Sequence, residues 1–521
     1  MWNQPDHDHS SSHVHVLTES RGPDRSCSVL GHPPIPSMAS SRTKHVVLFP
    51  FPGQGHLVAF LALARLLRRE LPDAAVTLVS TPRNVAALRS SCAAADVGLS
   101  SVALHALPFV PADHGLPAGC ESTSSLPVPE FITLFEAFEA LEPAFDDYVS
   151  GLVGDGSGPP ADVCVVADVF VAWTVAVARR RGCAHALFVS CGAFGTAVLH
   201  ALWMNMPALP LGSDGVLRLP EHPELVLHRT QLSPVFLLPG DMASRWTAYL
   251  HRLIPRGYRT DAVLVNTVEE LEPTGLAMLR RTLGKVPVWP VGPLVRGDDS
   301  SETDDDGVLR WLDSQPPSSV LYISFGSQNT IRPNQMMELA AALELTGRRF
   351  VWAIRPPVGF DLAGAFRDEW LPDGFEARAR AGGRGVLVRG WAPQVRVLAH
   401  AATGAFLSHC WWNSVLESMA HGVPVVGWPL AAEQFYNAKM LAEERGVCAE
   451  VARGNAESSA PVERSKVAEV LEAVMGGTAE AAAMRRRVAE VQEVMRSAWA
   501  EGGGSSRTAL REFFRAMNLR Q

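Results

Sequence analysis

The sequence predicts an α/β protein of two tandem, doubly wound, Rossmann-like domains facing across a cleft. Short apolar runs alternate with segments of helical spacing along most of the chain. The alternation comes as two series, and an acidic, aperiodic stretch separates them. At 521 residues the chain is long enough for roughly two to four domains. With 47% hydrophobic and 19% charged residues it can bury sizeable cores, which excludes bulk disorder.

Residues 1–43 stand apart from this pattern. The stretch Asp6 to His15 is polar, His-rich and aperiodic, and Pro33, Pro34 and Pro36 follow it. A disordered N-terminal extension is expected rather than a metal site, with Met38 as an alternative start. A chain beginning at Met38 is expected to keep its activity and its melting temperature within a few degrees, because the removed segment has no apolar pattern to add to a core.

A domain over 44–291 follows. His45 to Phe51 is a continuous apolar run, as in a strand buried on both faces of a parallel sheet. A Pro52-Gly53-Gln54-Gly55 turn leads to Leu57, Phe60, Leu61, Ala64 and Leu67 at helical spacing. Strands are expected at 75–80, 163–168, 185–190 and 262–267, with helices after Pro82 and through Arg179. The uncharged stretch Gly182 to Ser213 is broken by His185, Ser190, Thr196, His200, Asn205, Pro207 and Pro210, so it suits a strand plus helix better than a membrane span. Residues 292–307 are an acidic linker. A second domain over 308–495 has strands at 320–325, 350–354, 386–388, 404–408 and 423–428, and closing helices at 462–475 and 479–499. Residues 496–521 are expected to pack back, as a helix, on the first domain. Ligands of such folds bind beyond the carboxyl ends of the strands, in the cleft.

Charge and cysteines narrow the function. Forty-six Lys+Arg against 54 Asp+Glu give a net charge of −8, which argues against nucleic acid or an anionic membrane as the main partner. The eight cysteines are scattered, with no CxxC pair, so neither a disulfide framework nor a zinc site is indicated. A reducing, cytoplasmic setting is expected.

Gly53-Gln54-Gly55 hints at a dinucleotide loop, but Val58 stands where a third glycine is needed and Ser80-Thr81 supplies no acid. A nicotinamide enzyme is disfavoured. His56, at the start of a helix, suits a general base through its ordinary pKa near 6.5, although a lone histidine there can equally be structural. Asp168 ends the apolar strand Val163 to Ala167 at the same sheet edge. It could orient that imidazole or simply cap the next helix. Asp304-Asp305-Asp306 could mimic a metal-binding acidic motif, yet it lies in the linker, where a solvated loop is expected.

The segment Trp391 to Gln434 carries the most chemistry. After the strand 404–408, His409-Cys410-Trp411-Trp412-Asn413-Ser414 turns into a helix whose unpaired N–H groups suit a diphosphate. Glu417, a turn further on, can reach a ribose diol. Glu433 and Gln434 offer acceptors and an amide to sugar hydroxyls, and Trp391 could stack on a base whose edge Gln394 pairs.

Together these residues resemble the signature box of the plant secondary-product UDP-glycosyltransferases. The resemblance runs over 44–521. Pro50 to His56 resembles the catalytic-histidine loop and Ala167 to Phe170 the aspartate segment. Val265 to Glu272, Trp311-Leu312-Asp313 and Ser324 to Ser327 also match. It implies a GT-B fold and metal-independent, inverting transfer from a UDP-sugar to a small apolar hydroxyl-bearing acceptor, with no resident cofactor. His56 would be the base and Asp168 its orienting carboxylate. Trp391 and Gln394 would hold uracil and Glu417 the ribose, with Ala392 also among the UDP-sugar-binding residues. Ser327, His409, Asn413 and Ser414 would hold the diphosphate, and Trp412, Glu433 and Gln434 the sugar. The terminal Gln434 favours UDP-glucose over UDP-galactose, and Glu433 replaces the commoner Asp.

Trp411 departs from the family, which has glycine there. An indole at this helix start either turns aside or intrudes on the diphosphate. An active enzyme is expected, with restoration of glycine strengthening or preserving donor binding. The alternative is a donor-impaired binding protein of the same fold. The acceptor pocket is expected from Leu107 to Pro129 and Cys191 to Leu211, with Phe170, Phe194, Trp203, Met204 and Met206 as its apolar lining. A monomer is expected.

Overall fold

The apolar runs become two parallel sheets buried on both faces. The structure, a computed structural model, describes residues 43–520 apart from 96–101, 128–129, 155–160, 207–211, 238–240, 296–305 and 363. The expected N-terminal extension up to residue 42, with Met38, and most of the acidic linker, with Asp304 and Asp305, lie outside the described residues.

The described strands are β1 (Thr43–Phe49), β2 (Ala75–Ser80), β3 (Ala103–Ala106), β4 (Ala161–Asp168), β5 (Ala184–Val189), β6 (Val216–Leu219), β7 (His222–His228), β8 (Ala262–Val265), β9 (Val288–Pro290), β10 (Val320–Ser324), β11 (Arg349–Ala353), β12 (Gly385–Val388), β13 (Thr403–Ser408), β14 (Val425–Gly427) and β15 (Cys448–Glu450). The first sheet runs β3-β2-β1-β4-β5-β8-β9 and the second β12-β11-β10-β13-β14-β15, and every pairing in both is parallel. Strands β6 and β7 form a separate antiparallel hairpin. In each sheet the strand order reverses once, between β1 and β4 and between β10 and β13. Such switch points open a crevice at the carboxyl edge.

Alternation along β1 shows why its run is uniformly apolar. Val47 and Phe49 enter one core cluster, and Val46 and Leu48 enter the opposite one. The first cluster continues across the cleft into the second domain, reaching Phe325 and Trp412. The second is closed by the C-terminal helix Ser505–Ala516, which inserts Leu510, Phe513 and Phe514 beneath the first sheet. There Trp289 Nε1 donates to Glu512 Oε2 at 3.1 Å and Ser505 Oγ to Glu270 Oε2 at 2.8 Å.

Four regions add strands beyond those the periodicity predicts. β3 is a half-exposed edge strand, β9 ends in a proline, and β15 is only Cys448-Ala449-Glu450. The hairpin alternates buried and exposed residues over too few positions to stand out. No helix among the described residues is long and apolar enough to cross a membrane.

Candidate active site

His56 and Asp168 meet because β1 and β4 are neighbours that end at the same edge. The chain leaves β1 through Pro50 to Gly53 and enters the helix Gln54–Glu70, whose first turn carries His56. A Cβ on Gly53 would lie 3.0 Å from His56 Cδ2, so glycine lets the turn sit tightly against the ring. His56 Nδ1 lies 2.7 Å from Asp168 Oδ2, and both side chains are buried. The other oxygen, Oδ1, accepts from Phe170 N at 3.0 Å, capping the short 3-10 turn Val169–Val171. Capping and orienting are therefore both done by this one carboxylate. Ser190 Oγ, just past β5, lies 3.2 Å from the same Nδ1. The edge logic that finds Asp168 reaches Ser190 as well, but the sequence reading missed it.

Hydrogen bonding to Asp168 assigns the ring proton to Nδ1 and leaves Nε2 as the basic nitrogen. Burial, the largest single influence, favours neutral imidazole. The charge and hydrogen bond of Asp168, with the charge of Glu433, oppose it and prevail, so the His56 pKa is raised. A base must be neutral to act. The kcat/KM profile is thus expected to fall on the acid side through an apparent pKa above about 6.5. Stability runs the opposite way: the charged pair contributes fully below the unfolded pKa, and this is lost as pH rises through the raised folded value. Profiles of rate and of melting temperature between pH 5 and 9 check both signs.

An aromatic wall surrounds the pair. Phe51 and Phe170 flank the imidazole at 5.9 and 5.4 Å between centroids. Phe135 contacts Phe170 and Trp246, and Trp203 packs on Phe236 and Trp246. Of the expected lining, Phe194, Trp203 and Met206 are buried and Phe170 half-buried, whereas Met204 is exposed. Phe135 and Trp246 come from helices outside the two segments singled out in sequence. Positions 128–129 and 207–211 of those segments lie outside the described residues.

The second switch point brings Ser324 to Ser327 beside His409 to Ser414. A Cβ on Gly326, at φ +80°, would meet His409 Nε2 at 2.6 Å, so only glycine permits this approach. Burial pushes the His409 pKa down to about 3, opposed by a contact with the Ser324 backbone. His409 is therefore a neutral group that can bring a hydrogen bond, not a charge, to a ligand. Ser327 is half-buried in the facing loop.

The helix Trp412–Ala420 begins here, with Trp411 as its N-cap at φ −65° and ψ 142°. The left-handed residue is Cys410, at φ +66°, so the backbone does not demand glycine at 411. Gln394 links the next groups: its Nε2 donates to Ser414 Oγ at 3.1 Å and to Glu417 Oε2 at 2.6 Å, and its Oε1 accepts from Tyr322 OH at 3.4 Å. Trp391, 53% exposed, stands at the rim with Ala392 buried behind it. Asn413 instead crosses the cleft, donating from Nδ2 to Gly55 O at 2.8 Å.

Of the expected sugar-holding residues, Trp412 is placed differently and Gln434 is engaged in part. Trp412 is fully buried and donates its indole N–H to Asn266 O at 2.6 Å, so it is an interdomain packing element. Its place next to the turn hides in sequence that its side chain enters the shared core. Gln434 Oε1 accepts from Leu430 N and Ala431 N, shaping its own loop, and only its buried Nε2 lacks a partner. Glu433 is buried near His56 with Oε1 unpartnered, and burial above all raises its pKa. Ala432, at φ +49°, donates its N–H to Ser233 Oγ of the first domain at 3.0 Å. Glu272, also missed in sequence, accepts from Ala193 N and Phe194 N and caps the helix Ala193–Met204. Its partners are so distant along the chain that no spacing signals it.

Residues 43–296 match the family described as glycosyltransferase, N-terminal domain, and residues 296–476 match UDP-glucoronosyl and UDP-glucosyl transferase. The chain is 38% identical to UDP-glycosyltransferase 92A1 of Arabidopsis thaliana, over 91% of this chain and 97% of the relative. It is 39% identical to crocetin glucosyltransferase 3 of Crocus sativus, over 77% and 85% of the two chains. A Phytolacca americana glycosyltransferase complexed with UDP-2-fluoro-glucose and pterostilbene superimposes with a TM-score of 0.74, at 30% identity, over 91% of this chain and all of that one. With two Rossmann-like domains, a His–Asp pair on one lobe and a nucleotide-type helix start on the other, the chain belongs to the plant UDP-glycosyltransferases of the GT-B fold and is an enzyme that uses UDP-sugar donors.

Proposed function

We propose that the protein transfers glucose from UDP-glucose, with inversion and without a metal, to a hydroxyl of a small apolar acceptor such as a phenolic or terpenoid metabolite. The observation that carries this reading is the buried His56–Asp168 pair, 2.7 Å apart within an aromatic wall, with Glu433 of the other lobe close enough to bias its charge.

In this reading the acceptor hydroxyl gives its proton to His56 Nε2 while its oxygen attacks the anomeric carbon. The bond from that carbon to the diphosphate oxygen breaks, and UDP leaves with the electron pair. Attack from the side opposite UDP turns an α-linked donor into a β-glucoside. Asp168 holds Nδ1–H and stabilises the imidazolium that forms. The charge on the leaving diphosphate is met by the N–H groups of the helix Trp412–Ala420, with Ser327, His409, Asn413 and Ser414 as further hydrogen-bonding groups. Glu433 and the free Nε2 of Gln434 are the polar groups offered to the sugar, and Gln434 is the basis for glucose. The φ of −65° at Trp411 supports an active donor site over an impaired one. The apolar wall supports an apolar acceptor.

Incubation of the enzyme and UDP-glucose with a panel of phenols and terpenoid alcohols, read by mass spectrometry, tests the proposal. A hexose adduct with a β anomeric coupling in proton NMR is expected, and UDP-glucose left intact across the panel would refute it. Uracil stacking on Trp391 has its own test. Trp391→Ala is expected to weaken UDP binding by about 1–3 kcal/mol, roughly 5- to 150-fold in Kd by calorimetry, because the exposed ring is the stacking surface beside Gln394.

A further inference from the structure

The helix that carries His56 starts without a side-chain cap. Its N-cap is Gly53, which has no side chain to bond the free N–H groups, and its first turn contains no acidic residue. Besides the Asp168 bond to the His56 ring, contacts from the other lobe hold this turn. Asn413 Nδ2 bonds Gly55 O at 2.8 Å. The indole of Trp411 lies over the same residue: a Cβ on Gly55 would sit 3.5 Å from its Nε1 and 3.7 Å from its Cε2. Trp411 is neither in the core nor fully in solvent, but half-buried between Gly55 and His409.

We propose that Trp411 is a positioning residue: its indole covers Gly55 across the cleft and holds the first turn of the His56 helix against the donor lobe. Asp168 fixes the imidazole from within its own domain, and Trp411 fixes the backbone that carries it from the opposite domain. The bare face of Gly55 gives the indole a flat surface, and a turn without a cap gains most from being covered. Contact between the two lobes thereby sets the base in place. This role rests on the reading of His56 as the base.

The test uses the full-length protein as Trp411→Gly and Trp411→Phe. Three quantities are measured: amide hydrogen exchange over residues 51–60, UDP Kd by calorimetry, and kcat for UDP release from UDP-glucose with an acceptor or with water. In Trp411→Gly the first turn should exchange several-fold faster, kcat should fall roughly 10- to 100-fold, and UDP Kd should stay level or tighten. Trp411→Phe, which keeps a ring over Gly55, should restore slow exchange and most of kcat. Unchanged exchange in Trp411→Gly overturns the proposal. So does UDP affinity lost in step with kcat, or a phenylalanine variant as impaired as the glycine one. The exchange result judges the contact whatever His56 does, whereas undiminished turnover in His56→Ala would remove the base reading and leave the contact standing.

Discussion

Replacing His56 with alanine is expected to lower glucosyl transfer by roughly 10²–10⁴-fold while UDP affinity stays nearly unchanged. The split follows from where the groups sit. His56 projects from the helix after β1 of the first domain, whereas Trp391, Gln394 and Glu417 belong to the second. In the proposed mechanism, removing the imidazole takes away the group that receives the acceptor proton and touches none of the residues proposed to bind the nucleotide. It also strips a buried carboxylate of its partner, a loss that can cost about 3–5 kcal/mol of stability. His56→Gln is the matched control, because its amide can still donate to Asp168 but cannot act as a base near neutrality. Both variants should lose turnover with UDP Kd intact. Collapse of UDP binding together with turnover would make His56 a structural residue.

Asp168→Asn is expected to lower turnover by roughly 10²–10⁴-fold as well, through the tautomer. In the wild type Oδ2 receives Nδ1–H while Oδ1 receives the N–H of Phe170. The amide oxygen of asparagine can keep the bond to Phe170, so the local turn should survive. Its NH₂ then faces Nδ1, which must become an acceptor, and the proton moves to Nε2, the position needed for the acceptor hydroxyl. The variant should also lose the negative charge that raises the His56 pKa, so its residual activity should extend to lower pH. A folded Asp168→Asn enzyme with wild-type kcat and an unmoved acid limb would show that the carboxylate serves only as a cap.

How far the sequence revealed this site depended on whether the chemistry was local. The run His45 to Phe51 and the run ending at Asp168 are legible because a strand buried on both faces must be apolar throughout, and adjacent parallel strands deliver their last residues to one edge. The segment Trp391 to Gln434 is legible because one strand, one turn and one helix start hold most of its groups. What the sequence concealed arises between distant segments. Trp412 reads as a sugar-binding aromatic until the structure shows its N–H on Asn266 of the other domain. The sequence leaves open whether Trp411 turns aside or intrudes on the diphosphate, and in the structure its indole lies against Gly55. Ser190 and Glu272 take their roles from partners far along the chain, which no local spacing reveals. Among the strands missed, β3, β9 and β15 are short edge elements in which too few residues are buried to set a period.

The protonation of His56 itself is the most direct test of the account. A ¹⁵N NMR titration of the histidine side chains, with His56 assigned through His56→Gln, reads both the tautomer and the pKa. The proton is expected on Nδ1 at alkaline pH, with Nε2 unprotonated and a pKa above the ordinary value near 6.5 that drops in Asp168→Asn. A proton resident on Nε2, or a pKa depressed by burial and indifferent to Asp168, would contradict the assignment of His56 as the base.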